Sequence, residues 1–343
     1  MAAVPGRDGH RPTPSEVLVG VDVGGTKIAA ARVDAAGALR GPVQEVPTPA
    51  HAGPAAMLDT IAGLVVAVAA EGAGTTAARR PGPVAAVGIG AAGVIDTVRG
   101  TVVSATAAIT GWSGTDVAGG VAERLAGAGL ERLDGTVPPV YVDNDVNAYA
   151  AGEAWIGAGA GAACALVVAV GTGVGGAVIL DGSVHHGAHF LAGEMGHMPC
   201  GLAAGERCTC GRPGHLEAVA AGPQIARRYR EATGAQDVVS AHAVERLARA
   251  GDPDARRLYR EAATALGQAI AGVVTVLDPD RVIISGGLAR SGRLWWDPLR
   301  ETVRRELIEP VATDLPLVPA ALGTAAPIIG AAHEAARSLS RAG

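Results

Sequence analysis

A strand-like run from Val17 to Val23, β-branched at four of its positions, is broken by Gly24-Gly25-Thr26 and resumes from Lys27 to Val33. The same grammar returns later in the chain. Cys164 to Val170 is continuously apolar, Gly171-Thr172-Gly173-Val174-Gly175-Gly176 interrupts it, and Ala177 to Leu180 resumes it. Two hairpins with glycine–threonine turns, far apart in one chain, predict two similar sheets surrounded by helices. A third glycine pair, Ser285-Gly286-Gly287, closes a buried strand expected over Arg281 to Ile284.

The remaining punctuation fits a duplicated α/β plan. Pro54 opens an apolar helix over Ala55–Ala70, with proline where its missing N–H costs least. A strand is expected at Val84–Ile89, and a helix at Asp116–Leu125 with Asp116 as N-cap. After the boundary at Pro138-Pro139, a short strand Val140–Val142 runs into Asp143-Asn144-Asp145. Helices are expected at Pro223–Ala232, Ala241–Ala250, Pro253–Leu277 and from Pro327 to Arg341. The polar segment 1–16 reads as a disordered tail and Glu71–Pro83 as a connection. The domains expected are 17–140, completed by a C-terminal helix over 325–341, and 141–324.

Hydrophobic residues make up 49% of the 343 and charged residues only 18%, enough for a large core. The net charge of −5, with Lys27 the sole lysine, argues against a nucleic-acid surface. No apolar signal region begins the chain, and the apolar run Ile61–Ala70 is too short to span a bilayer. A cytoplasmic protein without membrane or nucleic-acid partners is expected.

Glycine turns at strand ends let a ligand approach the backbone, whose N–H groups converge as an anion nest. Asp22 lies beside the first nest, where a carboxylate could hold a phosphate-bound Mg²⁺ directly or through water. Thr26 and Thr172 can add hydroxyl donors. Three such turns together point to nucleotide phosphates, although any one of them would serve a plain hairpin. No Walker A loop is present. Gly171–Gly176 matches a Rossmann fingerprint only loosely, since a strand and not a helix follows.

Carboxylates, histidines and cysteines crowd the stretch Gly193-Glu194-Met195-Gly196-His197 and its continuation through Cys208-Thr209-Cys210 to His215-Leu216-Glu217. Such a glycine-rich segment buries little apolar surface by itself. Two cysteines and two histidines supply the four donors of a closed tetrahedral zinc site, the alternative being a polar loop with incidental cysteines. Glu194 and Glu217 then remain to bind something rich in hydroxyls. His185, His186 and His189 read as solvated loop histidines. In Asp143-Asn144-Asp145 the pattern alone leaves Asp145 as either a reacting base or a helix cap.

Taken together, these motifs resemble the ROK family of sugar kinases and repressors. The pieces that match are Asp22 to Lys27, Asp143 to Ala148, Gly171 to Gly176, Gly193 to His197, Cys208 to Glu217 and Ser285 to Gly287, in the family's order. The resemblance implies an actin-like ATPase (ribonuclease H-like) fold, two α/β domains with an active-site cleft between them. It implies that Asp22, Gly24, Gly25, Thr26, Lys27, Gly171, Thr172 and Gly173 serve ATP and Mg²⁺, with Gly286 and Gly287 near the adenosine. Asp145 would be the general base for a sugar 6-hydroxyl. Gly93, Asn144, Glu194, His197 and Glu217 would bind the sugar, with Asp143 left a structural role. His197, Cys208, Cys210 and His215 would hold a structural Zn²⁺, His197 also reaching the sugar. His215 stands where the family usually has a third cysteine, which makes Cys200 an alternative ligand.

A glucokinase-like hexose 6-kinase is therefore expected, and the family implies a homodimer or homotetramer. The segment Ser104–Ile109 lacks an asparagine that the family often supplies to the sugar, leaving Ser104 or Thr106 in its place. This keeps open a kinase for an amino sugar: N-acetylglucosamine, N-acetylmannosamine or 3-amino-3-deoxyglucose (kanosamine). Polyphosphate as donor also stays open. A sugar-responsive regulator is disfavoured, since 1–16 is too short for a helix-turn-helix domain.

Overall fold

The computed structural model describes residues 17–71, 82–106 and 108–342. The tail expected at 1–16, most of the connection between Glu71 and Pro83, and Ala107 lie outside the described residues. The chain divides into two compact units, one of Met1–Gly157, Ala188–Phe190 and Thr324–Gly343 and the other of Ala158–Gly187 and Leu191–Gly323.

The first unit contains β1 (Val17–Val23), β2 (Lys27–Val33), β3 (Gln44–Pro47), α1 (Pro54–Ala70), β4 (Val84–Ala91), β5 (Val94–Asp96), β6 (Thr101–Ser104), α2 (Val117–Gly127), β7 (Val140–Asn144) and α3 (Asp145–Ile156). Its sheet has the order β3-β2-β1-β4-β7. The β1–β2 and β2–β3 pairs are antiparallel, and β1–β4 and β4–β7 are parallel. On α1, Met57, Ile61, Leu64, Val65 and Val68 recur at helical spacing and are buried with the apolar residues of β1 and β4. Each such side chain contributes roughly 1.5–3 kcal/mol by leaving water.

The second unit contains β8 (Cys164–Val170), β9 (Val174–Leu180), β10 (Ser183–His185), α4 (Glu217–Ala220), α5 (Gly222–Thr233), α6 (Ala241–Ala250), α7 (Pro253–Leu277), β11 (Arg281–Ser285), α8 (Arg293–Glu306), α9 (Val311–Asp314) and β12 (Leu317–Pro319). The sheet order is β10-β9-β8-β11-β12, with antiparallel pairs on the β9–β10 side and parallel pairs on the β11–β12 side. It repeats the first sheet strand for strand and sense for sense, as the two glycine–threonine hairpins led us to expect. The helix α7 ends at Asp278, which takes a left-handed conformation (φ 45°) and donates its N–H to Val274 O.

The last helix, α10 (Ala326–Ala342), returns to the first unit. Its backbone lies directly on the sheet because Gly20 and Gly88 offer no side chain there. A Cβ at Gly20 would stand 1.9 Å from Ile328 O, and one at Gly88 1.8 Å from Ala331 O. Gly330 meets α3 in the same way, where a Cβ would stand 1.8 Å from Ala148 O. Trp155 on α3 stacks on His333 of α10 with ring centroids 4.2 Å apart. So α3 is clamped along its length, and its first residue, Asp145, is held at a fixed place relative to the sheet. Among the described residues no helix is long and apolar enough to cross a membrane.

Candidate active site

Three parallel strands of the first unit end together. The register aligns Val23 with Ala91 and Ala91 with Asn144, and one row back Asp22 with Gly90 and Gly90 with Asp143. Asp145 follows immediately as the first residue of α3. Reacting and binding groups of open α/β sheets gather at such carboxyl-terminal strand ends.

The β1–β2 turn is open. Gly25, Thr26 and Lys27 are exposed, and a Cβ added at Gly25 would meet nothing within 4 Å. Gly24 N–H donates to Lys27 O at 3.0 Å. Thr48, which no motif of the sequence marks, braces the turn by donating its hydroxyl to Gly24 O at 2.7 Å. Lys27 pairs with Glu45 on the neighbouring strand β3. Burial pushes the Asp22 carboxyl up to about 6, the Lys27 charge pulling it back and Glu45 adding to the rise.

The N-cap of α3 is Asn144, and neither Asp143 nor Asp145 takes that place. The Asn144 side-chain oxygen accepts from Val146 N at 2.8 Å and Asn147 N at 3.2 Å, and its amide donates to Gly93 O at 2.9 Å. Asp143 is buried and accepts from Asn144 N at 2.7 Å, Asn147 Nδ2 at 2.9 Å and Tyr141 OH at 3.2 Å. Asp145 is half-buried and accepts from Val146 N at 2.9 Å. Gly93 is left-handed (φ 109°) and lies against Ser104 and Ala105, where a Cβ would stand 2.6 Å from Ser104 O. That segment is held by Ser113, whose hydroxyl accepts from Ala105 N at 3.0 Å, and by Trp112, whose indole donates to Ala92 O at 3.2 Å. Ser104 and Thr106 are exposed.

In the second unit the β8–β9 turn and the end of β11 come together, since Ala169 and Ser285 are register partners. A Cβ at Gly171 would stand 3.8 Å from Gly287 N, and one at Gly286, which is left-handed (φ 92°), would stand 2.2 Å from Val170 O. Only glycine fits at 286. Gly222, at the start of α5, donates its N–H to Gly171 O at 2.8 Å. Gly287 and the exposed Thr172 border open space beside this pair of turns.

The segment from Gly193 to His197 is pressed onto β9. A Cβ at Gly193 would stand 2.3 Å from Gly176 O, and one at Gly196 2.0 Å from Val174 O. This contact fixes Glu194 and His197, whose Oε2 and Nε2 lie 3.8 Å apart. Burial raises the Glu194 carboxyl above its ordinary value, His197 opposing and Glu217 reinforcing the rise. Glu217, buried at the start of α4, accepts from Val174 N at 3.0 Å.

Side-chain donors of His197, Cys208, Cys210 and His215 all lie within 4.8 Å of one another. His197 Nδ1 is 3.5 Å from Cys208 Sγ, and His215 Nδ1 is 3.3 Å from Cys210 Sγ. Cys200 is not among the four; its N–H donates to Gly214 O at 2.9 Å. None of His185, His186 and His189 joins the group either. The loop is tied to the unit at Glu206, which accepts from both Arg227 and Arg228 of α5. The arrangement can hold a metal, with the second nitrogen of His197 turned toward Glu194.

Comparisons with known proteins bear on the family and the fold. The chain is 34% identical over 338 residues to a glucokinase of Streptomyces coelicolor, a match covering 92% of this chain and 96% of that one. A glucokinase of Halalkalibacterium halodurans is 33% identical over 204 residues, which span 56% of this chain and 62% of that protein. Among solved structures, a ROK family glucokinase from Streptomyces griseus in complex with glucose and AMPPNP superimposes with a TM-score of 0.74 at 33% identity, over 95% of this chain and 100% of that one. The fold is thus the actin-like ATPase fold that the motifs imply. The ROK family model matches residues 18–337, and the chain belongs to the ROK family.

Proposed function

We propose that the protein is an ATP- and Mg²⁺-dependent sugar kinase that phosphorylates the 6-hydroxyl of glucose, with Asp145 as the general base. The observation that carries the reading is the alignment of Asp22, Gly90 and Asp143 in one row across three parallel strands. It brings the open β1–β2 turn and the segment that leads into Asp145 to the same end of the sheet, two strand spacings or about 10 Å apart. Within that span a γ-phosphoryl group held toward the turn and an acceptor hydroxyl held toward Asp145 could approach to the roughly 3–3.5 Å that transfer needs.

The roles follow from the chemistry. Phosphoryl transfer depends on positioning and on charge stabilisation, so backbone N–H groups and threonine hydroxyls matter more than a nucleophilic side chain. Gly24, Gly25, Thr26, Gly171, Thr172 and Gly173 would hold phosphate oxygens, Gly286 and Gly287 would border the adenosine, and Lys27 would add positive charge near the first turn. Mg²⁺ would neutralise phosphate charge beside Asp22. Asp145 would take the proton of the attacking hydroxyl. Asn144 would present its remaining amide hydrogen to the sugar, and the Gly93 backbone would lie alongside. Glu194, His197 and Glu217 would accept and donate at the other sugar hydroxyls.

The four-donor cluster supports a structural zinc. With zinc–sulfur and zinc–nitrogen bonds of about 2.3 and 2.05 Å, tetrahedral angles put sulfur and nitrogen about 3.6 Å apart. The two Cys–His distances of 3.5 and 3.3 Å sit close to that value. All four positions are protein donors, so the ion would shape the loop and leave the phosphoryl transfer to the side chains above.

A coupled assay of ADP release with ATP, Mg²⁺ and a panel of hexoses and amino sugars tests the reading. Turnover on glucose with N-acetylated sugars inert is the expected result. Preference for an amino sugar would keep the chemistry and change the substrate, an outcome tied to the missing asparagine at Ser104–Ile109. Absence of turnover on every sugar and with every phosphate donor, polyphosphate included, would overturn it.

A further inference from the structure

Thr209 lies between two of the cluster's donors, and its hydroxyl donates to Glu217 Oε1. The other carboxylate oxygen, Oε2, accepts from Val174 N at 3.0 Å, at the end of the Gly171–Gly173 turn. Glu217 is therefore pinned at both oxygens, by the cysteine–histidine knuckle on one side and by the glycine turn on the other. The fit at the turn is close enough that a Cβ at Gly173 would stand 2.8 Å from Oε2.

We propose that Thr209 is the positioning residue through which the metal knuckle sets the Glu217 carboxylate for the sugar. The inference rests on the reading of Glu217 as a sugar-binding group. Its physical basis is the pair of hydrogen bonds that hold the two carboxylate oxygens from opposite sides. Cys208 Sγ lies 3.8 Å from Glu217 Oε1 and can donate weakly as a thiol. Among the described residues the Thr209 hydroxyl is the oxygen donor that the knuckle offers to Oε1. Because Cys208 and Cys210 flank it, an ion held by both cysteines would fix where that hydroxyl stands. A glutamate has three soft torsions, and freeing one oxygen returns rotamer freedom that sugar binding must then remove. Thr209 is itself exposed, so its part in packing is small.

The test uses the metal-loaded protein and measures glucose affinity by calorimetry alongside kcat, KM, zinc content and melting temperature. Thr209→Val keeps the shape and removes the donor. It should leave zinc content and melting temperature unchanged and weaken glucose binding roughly tenfold, the worth of one hydrogen bond to a charged group. The effect should fall on KM, with kcat within about threefold, and Thr209→Ser should restore the affinity. In a Glu217→Ala background, which leaves no side-chain oxygen for Thr209 to hold, Thr209→Val should add nothing further. If Glu217→Gln weakens glucose binding and Thr209→Val does not, the positioning role is wrong while the sugar role of Glu217 stands. Loss of zinc from Thr209→Val, or full additivity of Thr209→Val with Glu217→Ala, would equally overturn it. Unchanged glucose affinity in Glu217→Gln alone would remove the sugar role, and this inference with it.

Discussion

Asn144 donates its side-chain amide to Gly93 O at 2.9 Å while its side-chain oxygen caps α3. One planar group thus joins the start of the helix that carries Asp145 to the loop that follows β4. The cap satisfies helix N–H groups that would otherwise lack partners, and the amide bond fixes the loop against the same point.

Removing that amide should be felt in both stability and catalysis. Asn144→Ala is expected to lower the unfolding free energy by about 1–2 kcal/mol, the sum of a lost cap and a lost hydrogen bond. Asn144→Asp keeps a capping oxygen and loses the donor to Gly93, so it should recover most of the stability and little of the kcat. Chemical denaturation paired with steady-state kinetics checks the split. Equal recovery of both quantities would contradict the double role.

Gly25 and Gly286 differ in what a side chain would meet. Gly25 is not left-handed, and a Cβ there meets nothing within 4 Å. Gly25→Ala should therefore fold with an unchanged melting temperature and yet raise the KM for ATP several-fold. Gly286→Ala should damage the fold itself, because a Cβ would collide with Val170 O at a φ of 92°. An unaltered KM for ATP in Gly25→Ala would mean that the first turn only reverses the chain.

His333 makes stability depend on pH. Burial lowers it from 6.5 to about 4, with Arg337 acting in the same direction, and it is stacked on Trp155. The unfolded chain takes up its proton near 6.5 and the folded one only near 4. Between these values the unfolded state binds more protons, so stability falls as the pH drops through the window. The contribution lost is about 3 kcal/mol. Urea denaturation of the wild type and His333→Gln at about pH 7 and about pH 4 checks this, and the variant should lose less stability between the two. Equal losses would contradict the assignment.

The metal should bind folding and sugar affinity together. Chelation is expected to lower the melting temperature and weaken glucose binding in parallel, since His197 sits in the donor cluster and faces Glu194 at 3.8 Å. Atomic emission would verify removal. An unchanged melting curve in the metal-free protein would contradict a structural ion.

The sequence carried much of this because its strongest signals were local. Glycine–threonine turns between β-branched runs marked β1–β2 and β8–β9, and α6 and α7 span the expected Ala241–Ala250 and Pro253–Leu277. The helix α8 went unread: Pro298 interrupts its middle, although Trp295, Trp296, Leu299 and Val303 keep a helical spacing. Short strands such as β3, β10 and β12 owe their existence to neighbours, which no local pattern records. The same limit applies at the site. Three adjacent polar residues at 143–145 offered equal capping chemistry, and only the packing of α3 made Asn144 the cap. Thr209 carried no signal beyond lying between two cysteines, because its partner Glu217 reaches it only when the loop folds back.

The most direct test of the account is Asp145→Asn, measured for both turnover and glucose binding. If Asp145 removes the proton of the attacking hydroxyl, kcat should fall by roughly 10²–10⁴-fold. Glucose affinity should stay measurable and the melting temperature close to that of the wild type, because asparagine keeps the size and the oxygen that accepts from Val146 N. Turnover within a few-fold of the wild type would contradict the base assignment.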